Sequence, residues 1–322
     1  MIPDGRVLLI ANPVAQIGSG KKAADIALNH LQKRLGEDRV ELVLTERKGH
    51  AAELAYLADP SFSTVLGLGG DGVMHEIANG LMRRDEGMRP AFGVLPVGSG
   101  NDYAASVSMS TNMDVAVEQL LRYPTLATDV GCCNGEYYLE TLSFGIDAAI
   151  ALGTEERRIR SGHTGTRLYL EEGLDQMLHH RDPHKFRLSM EDGCRVEYRG
   201  TKIVSECERV AELAGSCLLL TVQIGRTYGG GFAITPEARL DDGVLDLCYA
   251  KSPLGAAKAT YIFLRAKNGG HTGFKAIEFL RARKVHIEFE GSLPAQIDGE
   301  RVEGTTFDIS ICPRVLHVIR KG

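Results

Sequence analysis

The stretch Thr64 to Leu81, TVLGLGGDGVMHEIANGL, constrains this chain more than any other. An apolar run of strand type gives way to Gly67, Gly69, Gly70 and Gly72. Val73, Ile77 and Leu81 then recur at helical spacing with Met74 and Ala78 alongside, which predicts the buried face of an amphipathic helix closed by Gly80. Glycine reaches positive φ cheaply and lets a ligand approach the backbone. The N–H groups that open a helix favour an anion. Together these describe a phosphate cradle. Asp71 inside it would repel bound phosphate unless a cation stood between them. The loop therefore reads as one that meets a metal-bound polyphosphate, most simply Mg-ATP.

Two other readings of the loop stay open at this level. Gly67, Gly69 and Gly72 satisfy the dinucleotide pattern G-x-G-x-x-G, but this loop follows the third expected strand, and the pattern normally follows the first. A tight turn without a ligand is the plainest alternative, although a turn rarely needs so many glycines.

Composition narrows the function classes. The chain has 322 residues, enough for two domains, and a formal net charge of -5, which gives no support to nucleic-acid binding. No apolar run is long enough to span a bilayer, and MIPDGRVLLI lacks a signal-peptide pattern, so the expectation is a cytoplasmic protein that reaches any lipid from the membrane surface. The seven scattered cysteines form no C-x-x-C pair, and the ten histidines show no zinc spacing.

Along the first part of the chain, strands are expected at Gly5 to Ala11, Val40 to Leu44, Val65 to Leu68 and Ala91 to Leu95. Helices are expected from about Lys21 to Leu35 and from His50 to Ala58. This alternation predicts an α/β domain over residues 1–126 with a parallel sheet, whose ligands bind at strand carboxyl ends. The fourth strand ends in a second glycine loop, Pro96 to Tyr103, so both loops can line one site. GSGKK near the first strand fails as a Walker A motif, because Ala15 replaces the first glycine and Lys22 the Ser or Thr. From about residue 127 to 306 the character changes to β-rich runs with turns such as Asn134-Gly135 and Asp192-Gly193. Helical patterns are expected only at about Thr166 to His180 and Leu254 to Ala266. This second domain is expected to be a mainly antiparallel β-sandwich, with the last strands, about 307–322, able to return to the first domain.

Four spaced motifs carry a resemblance. Gly69-Gly70-Asp71-Gly72, Pro96 to Asp102, Gly229-Gly230-Gly231 with Pro236 and Asp241-Asp242-Gly243, and Asp298-Gly299-Glu300 occur in one order. Together they resemble the bacterial diacylglycerol kinase and sphingosine kinase-like lipid kinases over nearly the whole chain. The resemblance implies a phosphofructokinase- and NAD kinase-like N-terminal domain, a C-terminal β-sandwich, and ATP with Mg2+ bound between them. It places nucleotide contacts on Asn12, Thr45, Gly69, Gly70, Asp71, Gly72, Val73, Met74, His75, Gly98, Ser99, Asn101 and Asp102. It places magnesium near Asp71, Asp102 and Asp129. A second, structural magnesium falls on Asp242 with the carbonyls of Arg239 and Val244. The catalytic base falls on Asp298, with Glu300 beside it. Val73 and His75 depart from the family's usual Thr and Asn, Ser99 keeps the hydroxyl of the usual Thr, and Ile224 replaces a frequent Asn.

The function so implied is an ATP- and Mg-dependent lipid kinase that works at a membrane surface on diacylglycerol or a related lipid. An NAD kinase-type enzyme with a soluble acceptor and a catalytically silent nucleotide- or lipid-binding regulator are the rivals. A homodimer is compatible with the sequence and not specified by it. The basic stretch Glu155 to Arg167, with Arg157, Arg158, Arg160 and Arg167, reads either as a lip for anionic headgroups or as a solvated helix end.

Overall fold

The apolar runs VLLIA and TVLGLG become the central strands of a parallel sheet. The computed structural model describes residues 2–161 and 166–322. It divides into two compact units, Met1–Val130 with Arg314–Gly322, and Gly131–Pro313.

The first unit contains β1 (Arg6–Ala11), α1 (Ala15–Gly18), α2 (Gly20–Leu35), β2 (Val40–Leu44), α3 (His50–Leu57), β3 (Phe62–Gly69), α4 (Asp71–Met82), β4 (Ala91–Pro96), α5 (Asp102–Ser106), α6 (Met113–Arg122) and the start of β5 (Thr125–Cys133). Strands β2, β1, β3 and β4 lie side by side in that order, all parallel. Val7, Leu9, Ile10, Val65, Leu66 and Leu68 are wholly buried, the continuous apolar character of strands covered on both faces. The C-terminal stretch returns here, where Val318 pairs in parallel with Phe92.

Helix α4 buries Met74, Ile77, Ala78 and Leu81 as the spacing requires. Gly80 does not close it. The helix continues to Met82, and a Cβ on Gly80 would stand 2.2 Å from the Ala52 carbonyl oxygen. The glycine is there so that α3 and α4 can cross closely.

The second unit contains β6 (Glu136–Tyr138), β7 (Thr141–Gly145), α7 (Ile146–Ser161), α8 (Thr166–His179), β8 (His184–Glu191), β9 (Cys194–Arg199), β10 (Lys202–Arg209), β11 (Glu212–Gln223), β12 (Leu245–Lys251), α9 (Ala256–Ala266), β13 (Ile277–Ala282), β14 (Lys284–Phe289), β15 (Ala295–Ile297), β16 (Glu300–Arg301) and most of β17 (Thr306–Ile319). Its pairings are antiparallel. Strands β10, β9, β13, β12 and β11 follow one another. The long β11 then divides its free edge between β8 and β7, which continue into β14 and β15 respectively.

Helix α7 corrects the expectation that only two helical patterns interrupt this unit. It follows β7 without a loop, at Gly145, whose φ is +79°. Because no turn cluster separates them, Ile146 and Asp147 read as the end of a strand in the sequence.

Candidate functional site

In the first unit the expected nucleotide residues gather at one edge of the parallel sheet. Backbone bonds at the strand ends hold them in step: Asn12 N donates to Leu68 O at 2.9 Å, Thr45 N to Ala11 O at 2.9 Å, and Val97 N to Gly69 O at 2.7 Å. The loops after β1, β2, β3 and β4 therefore leave from neighbouring carboxyl ends, where ligands of open α/β sheets bind.

Crowding, more than dihedral freedom, explains the glycines. Gly70 caps α4 with φ -91°, a value open to any residue. A Cβ on Gly98 would stand only 2.4 Å from the Gly70 Cα, and a Cβ on Gly69 only 2.7 Å from Val73 Cγ2. The two glycine loops touch backbone to backbone. Asn101 shapes the second loop at φ +55°, with Oδ1 accepting from Gly98 N and Nδ2 donating to Gly98 O, each at 2.8 Å. Gln16, which sequence reasoning missed, donates its amide to the same Gly98 carbonyl at 3.1 Å.

The acidic residues meet above Gly100. A Cβ there would lie 2.9 Å from Asp71 Oδ2 and 3.2 Å from Asp102 Oδ2, so the two carboxylates converge on one point. Asp71 is oriented by its other oxygen, which accepts the Tyr103 amide at 3.1 Å. Two convergent carboxylates suit magnesium, a hard ion that keeps much of its hydration. Among the described residues no group of three or more His, Cys, Asp or Glu side chains is placed to hold a metal. Asp129 is not brought into such a group. It is buried in β5, and its Oδ1 accepts the Arg314 amide at 2.8 Å.

The remaining expected contacts divide. Ser99 and Thr45 are half-buried at the loop edge. Met74 is buried with its sulfur against Gly67, and His75 is buried with Nε2 3.3 Å from Asn79 Nδ2. Both side chains lie on the buried face of α4. Val73 packs over Gly69. Glu76, also missed, accepts Gly49 N at 2.8 Å and Ala51 N at 3.1 Å. It caps α3 from the helix that follows the glycine loop, and only a long-range fold could reveal that pairing.

In the second unit Asp298 and Gly299 form the two-residue turn between β15 and β16, with φ +47° and +92°. Both central residues at positive φ describe a type I′ hairpin. The Asp298 carboxylate accepts three backbone amides: Leu139 at 2.8 Å, and Glu140 and Thr141 at 3.0 Å each. Those donors fix its orientation. Glu300 lies directly after the turn and is half-buried.

Asp242 Oδ1 accepts Val244 N at 3.4 Å, while Oδ2 stands 4.0 Å from the Arg281 guanidinium, which also pairs with buried Asp246 at 2.8 Å. Arg239 Nε lies 3.5 Å from Asp241. The expected structural-metal residues thus share one loop with a resident cation nearby.

The triple glycine is required by backbone: φ is +64°, +75° and +89° at Gly229, Gly230 and Gly231. Lys267 Nζ donates to the Gly230 carbonyl at 2.6 Å. A Cβ on Gly229 would enter the Tyr169 ring. Of the basic stretch, Gly162 to Gly165 and the side chains of Arg157, Arg158 and Arg160 lie outside the described residues. Arg167 pairs with Glu171 at 2.9 Å. Burial pushes the Asp147 carboxyl up to about 6, against hydrogen bonds from Ser143 and Tyr169 that favour ionisation.

Comparison with known proteins gives one answer across the chain. The diacylglycerol kinase catalytic domain matches residues 6–133, and the YegS C-terminal NAD kinase beta sandwich-like domain matches residues 140–320. A diacylglycerol kinase of Mycobacterium tuberculosis is 29% identical over 321 residues, which cover 98% of this chain and 95% of that one. The probable lipid kinase YegS-like of Chromohalobacter salexigens is 28% identical over 276 residues, 85% of this chain and 81% of its own. A crystal structure of a diacylglycerol kinase from Bacillus anthracis superposes with a TM-score of 0.73 at 18% identity, covering 98% of this chain and 97% of that one. At that identity the likeness concerns the fold.

Proposed function

The chain belongs to the diacylglycerol kinase catalytic-domain family, a family of lipid kinases, and from that premise we propose that it transfers the γ-phosphate of ATP to a hydroxyl group of a lipid. The observation that carries this reading is the contact of the two glycine loops, Gly70 against Gly98, with Asp71 and Asp102 converging beside it.

In this reading the loops after β1 to β4 seat the nucleotide, and the opening turn of α4 faces its phosphates. Backbone amides and a helix N-terminus suit anionic oxygens. Asp71 and Asp102 would hold Mg2+, which when bound neutralises phosphate charge. Phosphoryl transfer needs position and charge balance more than covalent chemistry from the protein.

Asp298 is the proton acceptor. The lipid hydroxyl gives its proton to the Asp298 carboxylate as its oxygen bonds to the γ-phosphorus. The bond from that phosphorus to the β–γ bridging oxygen breaks, and ADP leaves. Three amides hold the carboxylate in one orientation, the kind of preorganisation that general-base catalysis requires.

The lipid is reached from the membrane surface. Among the described residues no helix is long and apolar enough to cross a membrane. Asp242, with the Arg239 and Val244 carbonyls, serves as a second, structural cation site in this reading. The test is transfer of label from γ-labelled ATP to a panel of lipid acceptors presented in mixed micelles, with NAD as the soluble control. Label in a lipid product supports the proposal, and label on NAD alone overturns it.

A further inference from the structure

Helix α9 buries Ala259, Ile262, Phe263 and Ala266 on its inner side, as an amphipathic helix should. Its outer side is not the wholly polar face of a solvated helix. Lys258, Tyr261, Leu264 and Arg265 recur there at helical spacing, and all four are exposed. Tyr261 is 56% exposed and Leu264 46%. The patch extends beyond the helix, because the Tyr261 ring meets the partly buried Phe274 ring edge-on, with 5.8 Å between centroids. Lys275 follows Phe274 and is exposed.

Single exposed apolar side chains are ordinary. Charge sets this patch apart. No Asp or Glu occurs from Ser252 to Ile277, in a chain whose formal net charge is -5, while Lys258, Arg265, Lys267 and Lys275 all fall within that stretch. Lys267 turns inward to the Gly230 carbonyl. Lys258, Arg265 and Lys275 form no ion pair among the described residues. Glu278, the acid that ends the stretch, is held by Lys251 and Arg195. The end of α3 offers the contrast. Tyr56 and Leu57 are exposed there too, but Glu53 and Asp59 flank them.

We propose that α9 and the neighbouring Phe274-Lys275 form the surface by which the protein docks on a bilayer bearing anionic headgroups. The inference rests on the reading that the acceptor is a lipid, because an enzyme whose acceptor stays in a bilayer must meet that bilayer. Tyr261 and Leu264 enter the boundary between headgroups and acyl chains, where an amphipathic ring such as that of tyrosine is favoured. Lys258, Arg265 and Lys275 face the phosphates around them. Each such cation near an anionic surface contributes about a fivefold factor in binding, and bulk salt screens it. A second copy of this chain fits the patch poorly, because a two-fold contact would set the same acid-free stretch against itself.

The experiment measures partition of the full chain onto vesicles of phosphatidylcholine alone and of equimolar phosphatidylcholine and phosphatidylglycerol. Neither ATP nor acceptor is present, so the outcome does not depend on the kinase reading. The variants are Lys258→Gln/Lys275→Gln and Tyr261→Ser/Leu264→Ser, each with its melting temperature and sedimentation. The parent should prefer the anionic vesicles by at least about tenfold, and added salt should weaken the preference. Lys258→Gln/Lys275→Gln should lower the anionic partition about twentyfold at unchanged melting temperature. Tyr261→Ser/Leu264→Ser should lower it by about tenfold or more, and should also reduce the binding that salt leaves. The charge variant alters only exposed side chains, so it keeps the test open if loss of the Tyr261 ring disturbs Phe274. Partition unchanged in both variants overturns the assignment of α9. No preference of the parent for anionic vesicles overturns the docking surface, and transfer to lipid in detergent micelles would then leave the kinase reading standing. A parent dimer that Tyr261→Ser/Leu264→Ser dissociates overturns the bilayer in favour of a second copy.

Discussion

The Asp71 carboxylate accepts the Tyr103 amide at 3.1 Å, which ties the first turn of α4 to the first turn of α5. The second Asp71 oxygen is thereby turned toward Asp102 across Gly100. Asp71→Asn keeps an oxygen for Tyr103 and removes the charge. Its melting temperature should stay close to that of the parent, while transfer falls about hundredfold, the usual cost of losing one group that balances transition-state charge. Titration of rate against Mg2+ should show half-maximal activity only at a higher concentration, because one anionic ligand is lost. A variant as active as the parent at all Mg2+ concentrations would remove Asp71 from the site.

Gly98→Ala tests the touching loops. Its Cβ would be placed 2.4 Å from the Gly70 Cα, and neither backbone has slack, since Val97 N and Asn101 pin the loop. The expected cost is about 1–3 kcal/mol of stability, as for other forced overpacking. ATP affinity should fall at least about tenfold in calorimetry. Unaltered affinity would mean that the loops do not shape the nucleotide seat.

Asp298→Asn should abolish transfer and leave ATP binding nearly intact. The three amides add a second effect. The new NH2 group faces a backbone donor, so the variant should also lose about 1–3 kcal/mol of stability. Loss of ATP binding equal to the loss of transfer, in a folded variant, would show that the assigned role is wrong.

Asp147 predicts a pH dependence. Its folded carboxyl titrates near 6, raised by burial above the ordinary carboxylate value of 3.8. The folded state therefore holds this proton longer than the unfolded one, so stability from this group is greatest below about pH 4 and declines as pH rises to about 6. Asp147→Asn has no carboxyl to titrate. Relative to the parent it should gain about 2–3 kcal/mol between pH 4 and 7. Parallel melting curves for the two proteins across that range would refute the shift.

Asp242→Ala tests the second cation site. Binding to the folded state alone raises stability by mass action, so Mg2+ should raise the parent's melting temperature more than the variant's, which keeps only the Asp71–Asp102 site. The Arg281 guanidinium near Asp242 offers another source of charge balance. If Mg2+ leaves the parent's melting temperature unmoved, the cation site at Asp242 is ruled out.

The strands and glycine loops were legible because local rules determine them. Continuous apolar runs mark covered strands, and glycine clusters mark the loops between. Locality also sets the limit. Gly80 looked like a helix end because glycine is a helix breaker by propensity, but the packing of α3 against it decided otherwise. Helix α7 was hidden by the lack of any turn residue between it and β7, apart from Gly145. The roles of Glu76, Gln16 and the amides around Asp298 depend on partners 25 to 159 residues away, which no spacing rule reaches. Met74 and His75 fell within a motif, yet helical periodicity sends their side chains inward.

Lipid phosphorylation through Asp298 is tested by phosphate transfer from γ-labelled ATP to lipid, measured for the parent and for Asp298→Asn side by side. The parent should place label in one organic-phase product and the variant in none, while both bind ATP. Label that appears only on NAD, or transfer to lipid that survives in Asp298→Asn, would contradict it.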